Sequence, residues 1–367
     1  MKLTIVMPAG AAESGKTQKR LEQILHFVLD SYSESLSCQE TEWILTKEEL
    51  EKKLIFSRCQ NRRILFAVPL DESGINLELY AMLKSIRTYP ECFKGEIGAI
   101  LVDGAGDLYT KDIAREIAMT VNSAGCLLIG TPVVEGTGEL KNFAVIAAKL
   151  STDLPGAYRS SVIGLLHRLM DFQKIYRKKP GILCIHASNR TNSNTFMLWE
   201  KVKGSLGNSF DIEEISLKNG EIYDCIGCPY EECRQYGIRG SCYYNDIIVE
   251  QVYPLMEKSD AVIMVSPNYN DAISANLSAL INRMTALFRK RKFYDTYLFA
   301  IIVSGYSGSD IVAKQLLDSM NMNKSFILPP YFSMMETVNG PGEILSVDGI
   351  SVRIKEFTDN IKEHLLG

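Results

Sequence analysis

No apolar run in this 367-residue chain approaches the ~18 residues that a membrane span requires, and the mean hydropathy is −0.01. The amino terminus has one lysine and a short apolar run, without the long apolar region and cleavage site of a secretory signal. A cytoplasmic protein with no membrane partner is expected. An excess of positive charge is also missing: 40 Lys and Arg against 44 Asp and Glu give a net charge of −4. The basic residues are scattered, so there is no electrostatic footprint for nucleic acid. Histidine is scarce, and His26, His167, His186 and His364 form no constellation for catalysis; His186 reads as a strand-end residue. Cysteine is the exception. Cys38, Cys59, Cys92, Cys126 and Cys184 are dispersed, whereas Cys225, Cys228, Cys233 and Cys242 fall within one short segment. An odd total with four clustered fits a reducing compartment and a metal or cluster site better than a disulfide framework.

The length suggests two domains, each able to bury a full core. Strand-like runs alternate with helical periodicity in both halves, the pattern of a parallel sheet covered on both faces. The candidate strands are LTIVMP, RILFAVP, GAILVD and CLLIG in the first half, then GILCIHA, DAVIMVSP, YLFAIIVS and SFILPP in the second. Between them, residues 151–179 read as a helical connector ended by Lys178, Lys179 and Pro180.

The halves resemble each other. Placing Ala9 opposite Ala187 sets Thr17 on Thr195 without a gap, and placing Pro69 on Pro267 sets Ile75 on Ile273, Leu79 on Leu277 and Ala81 on Ala279. VDGAGDLYTKDIA lies beside VSGYSGSDIVA, and GTGEL beside GPGEI. The longer spacing in the second half is accounted for by the cysteine segment. An internal duplication with a cysteine insert in the second copy is inferred.

Gly10–Thr17, GAAESGKT, fits the phosphate-cradling pattern GxxxxGK[ST] between a strand and a helix, and Asp103 ends a later strand where a magnesium-binding acid would sit. The register of the duplication offers another reading, because this stretch occupies the position of ASNRTNSNT in the second copy. That second loop resembles the SxRxxSNT loop of the NAD(P)H-dependent FMN reductases and iron–sulfur flavoproteins, a flavodoxin-like family. A hydroxyl- and amide-rich turn opening a helix suits a phosphate. The resemblance implies that Ser188, Arg190, Ser193, Asn194 and Thr195 hold the FMN phosphate. It continues at SPNYNDAISANLSALINR, similar to the family's PxYxxxxSxxLKxxIDR, where Pro267, Asn268, Tyr269 and Asn270 would line the isoalloxazine ring. This stretch differs from the family at Ser278, often lysine, and Asn282, often aspartate. SGYSG supplies Ser304, Gly305, Tyr306 and Gly308 to the flavin edge.

Cys225, Cys228, Cys233 and Cys242, spaced C-x2-C-x4-C-x8-C, are similar to the stretch that ligates a [4Fe–4S] cluster in iron–sulfur flavoproteins, although the second and third gaps are longer here. A cluster, zinc and free thiols all remain open. Together the resemblance implies two tandem flavodoxin-like α/β domains of the doubly wound parallel-sheet class. Residues 1–150 would be a degenerate copy, since Ala12 stands opposite Arg190 and Gly10 opposite Ser188. Residues 180–367 would bind FMN and carry the cysteine insert. The expected activity is an NAD(P)H oxidoreductase that delivers electrons through FMN to a quinone, flavin, nitro compound or other small acceptor, or to a redox protein. Alternatives are an iron–sulfur flavoprotein electron carrier and, third, a P-loop nucleotide-binding protein. A homodimer or an intrachain pseudo-dimer is expected.

Overall fold

The runs Arg63–Leu70 and Ile97–Gly104 are buried at all eight positions, as central strands of a sheet covered on both faces must be. In the computed structural model, which describes all residues except 1, 11–14, 33–35, 37, 39, 58–60, 189–191 and 221, such strands organise two compact units, Met1–Gln173 and Lys174–Gly367. No helix among the described residues is long and apolar enough to cross a membrane.

The first unit runs β1 (Lys2–Val6), α1 (Gly15–Tyr32), β2 (Glu40–Ile44), α2 (Lys47–Leu50), β3 (Arg63–Leu70), α3 (Leu77–Thr88), β4 (Ile97–Gly104), α4 (Thr110–Ser123), β5 (Leu127–Gly136), α5 (Ala144–Leu150) and α6 (Leu154–Met170). The second runs β6 (Gly181–His186), α7 (Asn194–Leu206), β7 (Asp211–Ser216), α8 (Tyr230–Ile238), α9 (Tyr253–Lys258), β8 (Ala261–Pro267), α10 (Ala275–Lys290), β9 (Tyr297–Ser304), α11 (Ser309–Leu316), β10 (Ser333–Thr337) and α12 (Ile350–Leu365). Each unit holds one five-stranded sheet, ordered β2-β1-β3-β4-β5 and β7-β6-β8-β9-β10, and every pairing is parallel. This 2-1-3-4-5 order is that of the flavodoxin-like doubly wound fold. Both units have it.

Three details differ from the sequence expectation. SFILPP is not a full strand: Ile327 makes one bridge to Tyr297, Pro329 and Pro330 have no N–H to continue a ladder, and the fifth strand is Ser333–Thr337 instead. The edge strands β2 and β7 carry Glu40, Glu42, Asp211, Glu213 and Glu214, charges that protect an edge from further pairing and conceal the strand pattern. The helix expected across the connector ends at Met170, before Lys178, because its apolar face ends there. That face, Ala157 to Met170, is buried within the first unit. Farther along, the Arg177 N–H is bonded to the Leu365 carbonyl in the second unit.

The helix α6 takes part in a buried polar cluster. Asp103, at the end of β4, is fully buried. Its carboxylate accepts two bonds from Arg20 Nε, at 2.9 and 2.8 Å, another from Arg20 Nη2, and one from the Tyr158 hydroxyl at 3.0 Å. Arg20 Nη1 also donates to the Gly138 carbonyl at 2.8 Å. Burial pushes the Asp103 carboxyl upward in pKa, while Arg20 and Tyr158 favour its charged form. The aligned residues of the second unit are Leu198 and Ser304, both fully buried. The pair thus stands where the other copy has an apolar residue and a hydroxyl. Removing one partner strands a charge, so Arg20→Ala is expected to cost about 3 kcal/mol, whereas Arg20→Met combined with Asp103→Leu should cost far less. Urea denaturation of the full chain checks this, and equal losses would refute it.

Candidate functional site at the carboxyl edge of the second sheet

In the order β7-β6-β8-β9-β10 the chain winds one way from β6 to β7 and the other way from β8 onward. The loops leaving β6 and β8 therefore diverge, and the crevice between them is where open parallel sheets bind ligands.

The second residue of the loop after β6 is Ser188, whose N–H donates to His186 Nδ1 at 3.1 Å and whose carbonyl accepts from Ser216 Oγ at 3.3 Å. Arg190 lies outside the described residues, as do Ala12 and the middle of Gly10–Thr17. Ser193 is the extended residue before α7 and its side chain makes no capping bond. Asn194 opens the helix. Its Nδ2 donates to the Gly340 carbonyl at 2.8 Å, and its Oδ1 accepts from the Ile344 N–H at 3.2 Å. Thr195 is buried behind it.

The loop after β8 starts with Pro267. The Asn268 N–H donates to the Val303 carbonyl at 2.9 Å, and Asn268 Nδ2 donates to the Ser307 carbonyl at 2.8 Å and to Asp271 Oδ1 at 3.2 Å. Asn268 Oδ1 is buried without a protein partner, as is Ser274 Oγ before α10. Asn270 and Asp271 are left-handed, with φ of 54° and 57°, and bend the loop so that Tyr269 is left exposed. The loop after β9 leaves from Ser304, whose Oγ lies 2.7 Å from Ser309 Oγ. It presents Tyr306, 82% exposed, to Asn339, whose Nδ2 donates to the tyrosine hydroxyl at 3.3 Å. Gly305 also faces Asn339. Gly308 has φ +84°, and a Cβ there would lie 2.2 Å from Asp271 Oδ1 and 2.8 Å from Asn268 Nδ2.

The structure therefore joins the loops after β6, β8 and β9, through Asn194 and Asn339, to the loop after β10. That fourth loop and Ser274 were missed as site elements. The repeat GTGEL/GPGEI was the visible signal for the loop, and nothing in the sequence marked the buried serine.

The cysteine segment forms a second cluster in the same unit. Cys225, Cys228, Cys233 and Cys242, with Tyr244 and Arg283, line one cavity of about 130 Å³. Cys225 is exposed and the other three are partly buried; burial and the neighbouring sulfurs raise the Cys228 thiol. The polar face of α10 anchors the segment: Asn276 Nδ2 donates to the Leu217 carbonyl at 2.7 Å and Asn282 Nδ2 to Asp224 Oδ1 at 2.9 Å. Buried Arg283 pairs with Asp246 and donates to the carbonyls of Tyr223 and Tyr244 at 3.2 and 3.0 Å. Its Nε is buried without a hydrogen-bond partner, and the residue lines the cavity that the thiols share. Among the described residues no three His, Cys, Asp or Glu side chains are grouped to hold a single metal ion.

In the first unit the same edge is closed differently. The Thr17 hydroxyl donates to the Leu70 carbonyl at 3.1 Å, and the Gly10 N–H donates to Gln18 Oε1 at 3.2 Å. Asp103, considered as a magnesium ligand, is instead bound by Arg20 and Tyr158. Tyr109, left-handed at φ 73° before α4, packs its ring against Gly74.

Residues 180–339 match the NADPH-dependent FMN reductase family. This stretch contains the loops after β6, β8 and β9 and the cysteine segment, and ends at Asn339 in the loop after β10. The chain is also similar to an iron–sulfur flavoprotein of Archaeoglobus fulgidus, 26% identical over 148 residues, which are 39% of this chain and 72% of the relative. An iron–sulfur flavoprotein of Methanocaldococcus jannaschii is 30% identical over 107 residues, 29% of this chain and about half (52%) of the relative's length. Among solved structures, an NAD(P)H:quinone oxidoreductase from Methanothermobacter marburgensis is similar at a TM-score of 0.38 and 12% identity, covering 52% of this chain and 98% of that one.

The close approach at Gly308 yields a prediction. Gly308→Ala combines a left-handed backbone, costing about 1 kcal/mol, with a clash against Asp271 and is expected to lower the melting temperature more than Gly305→Ala, whose nearest neighbour is 3.3 Å away. Thermal denaturation of both variants checks the order.

Proposed function

We propose that the second unit binds FMN in the crevice between the loops after β6 and β8, and that the chain is an oxidoreductase. It would carry electrons from NAD(P)H through FMN to a quinone, flavin, nitro compound or other small acceptor, or to a redox protein. The observation that carries this reading is the meeting of the loops after β6, β8, β9 and β10 beside the reversal of strand order, the first three of them within the residues that match the family.

The residues present suit the group. Ser188, Ser193, Asn194 and Thr195, with Arg190, would hold the phosphate at the positive end of α7. The engaged side chain of Asn194 holds the loop after β10 in place, leaving its backbone and Ser193 for the anion. Buried polar atoms normally have partners, and the orphaned Asn268 Oδ1 and Ser274 Oγ lie where a bound ligand would supply them. Pro267, Asn268, Tyr269 and Asn270 would flank the ring on one side, with Ser304, Gly305, Tyr306 and Gly308 on the other. FMN, when bound, supplies the redox chemistry, accepting hydride and releasing electrons singly or in pairs. The chain's part is to orient it, and the exposed faces of Tyr269 and Tyr306 are available to cover it from water. No side-chain acid or base is required at the ring.

A second reading is favoured by the cysteine cavity. Four thiols line one space of about 130 Å³, and four thiolates are the ligand set of a [4Fe–4S] cluster. Cys225, Cys228, Cys233 and Cys242 would hold a [4Fe–4S] cluster, with Arg283, which interacts with Cys242, supplying positive charge. From Ala275, the first residue of α10 after Ser274, to Arg283 is eight residues, or about 12 Å along the axis, so one helix would support both centres. The chain would then serve as an electron carrier reduced by a ferredoxin-like donor.

Anaerobic purification, with the visible spectrum and the flavin, iron and sulfide contents, tests both readings. Flavin bands with bound iron and sulfide are expected for the carrier, and Cys228→Ala should then lose iron while keeping flavin. Flavin without iron would leave the reductase alone. A folded protein that neither contains nor takes up FMN would refute both.

A further inference from the structure

A buried imidazole lies directly beneath the loop that enters α7. His186, the last residue of β6, is 5% exposed. Its Nδ1 accepts the Ser188 N–H at 3.1 Å, which requires the ring proton to reside on Nε2. Nε2 lies 3.6 Å from Glu214 Oε1 on β7, and Glu214 in turn accepts from Trp199 Nε1 at 2.8 Å and Lys203 Nζ at 3.0 Å, both on α7. The ring also packs against Phe196 of α7, with centroids 5.0 Å apart. One side chain therefore connects β6, β7, α7 and the start of the loop. The aligned residue in the first unit is Pro8, which offers no side-chain acceptor.

We propose that His186 is a positioning residue that holds the phosphate-binding loop in place only while its imidazole is neutral, so that the affinity of the chain for FMN falls on acidification. The proposal rests on the FMN reading given above. Its physical basis is a change of role at one atom. A protonated imidazole carries N–H at both nitrogens, so Nδ1–H would face the Ser188 N–H, donor against donor, and the loop would lose its attachment at the strand end. The charged and titratable groups around the ring are Glu214 from β7 and Glu200 and Lys203 from α7; on the β8 side it pairs with Val265. Burial lowers the pKa of His186 below the ordinary 6.5, opposed by Glu214. The sign follows from this depression: the neutral form and its bond are fully present above 6.5 and are lost as pH falls below that value through the folded pKa.

FMN affinity of the full chain, read from quenching of flavin fluorescence between pH 8 and pH 5, tests the proposal, with riboflavin as a probe lacking the phosphate. The FMN phosphate itself takes up a proton near pH 6, so the comparison that decides is with His186→Asn, whose Oδ1 replaces Nδ1 as an acceptor that does not titrate. The affinity of each protein is referred to its own value at pH 8. By pH 5 the wild type should have lost about tenfold more affinity than the variant, the effect of one proton over one pH unit, with little difference for riboflavin. In the unsubstituted protein, NMR should place the His186 titration at a lower pH with FMN bound than without. Parallel pH curves, or an imidazole titration unmoved by FMN, would overturn the role of His186 while leaving the flavin site standing. Absence of FMN binding at every pH would overturn the flavin reading and the proposal with it.

Discussion

The parallel pairing of β6 with β8 is the constraint on which the second unit depends. Because β7 lies on the other side of β6, the segments leaving β6 and β8 must part to opposite faces of the sheet, and no side chain can close the space between them without spanning it. Everything assigned to the site follows from that separation. The amino end of α7 points toward the crevice, the loop after β8 curls over it through two left-handed residues, and Asn194 ties in the loop after β10. The same order in the first unit creates the same separation. There, the difference lies in what lines it.

The central strands and the order of the helices were legible because burial on both faces turns strands such as Ile97–Gly104 and Tyr297–Ser304 into continuous apolar runs. The edges were not. Glu40–Ile44 and Asp211–Ser216 satisfy the chemistry of an exposed margin, which removes the apolar signal, and Ser333–Thr337 is short and alternately exposed. SFILPP misled for the opposite reason: its apolar residues are buried, but prolines end its capacity to pair.

At the site, residue types pointed to the loops but not to their mutual contacts. Asn268 could be recognised as a loop residue, whereas its dependence on the carbonyl of Ser307 is a matter of folding together segments nearly forty residues apart. The cysteines illustrate the same limit. Their spacing left cluster, zinc and free thiols open, and that the four line one cavity with Arg283 depends on how the segment folds against α10. The departure at Asn282 also acquires a reason, since its amide holds Asp224 at the entrance to the segment.

The charge pair of the first unit has a historical consequence. Arg20 and Asp103 occupy the places of Leu198 and Ser304, and replacing Arg20 alone would leave the Asp103 carboxylate buried without its cationic partner. A lineage that acquired both would find the return path blocked by intermediates less stable than either end point. The pair works as a ratchet: once installed, it resists stepwise replacement by the residues that stand in its place in the second unit.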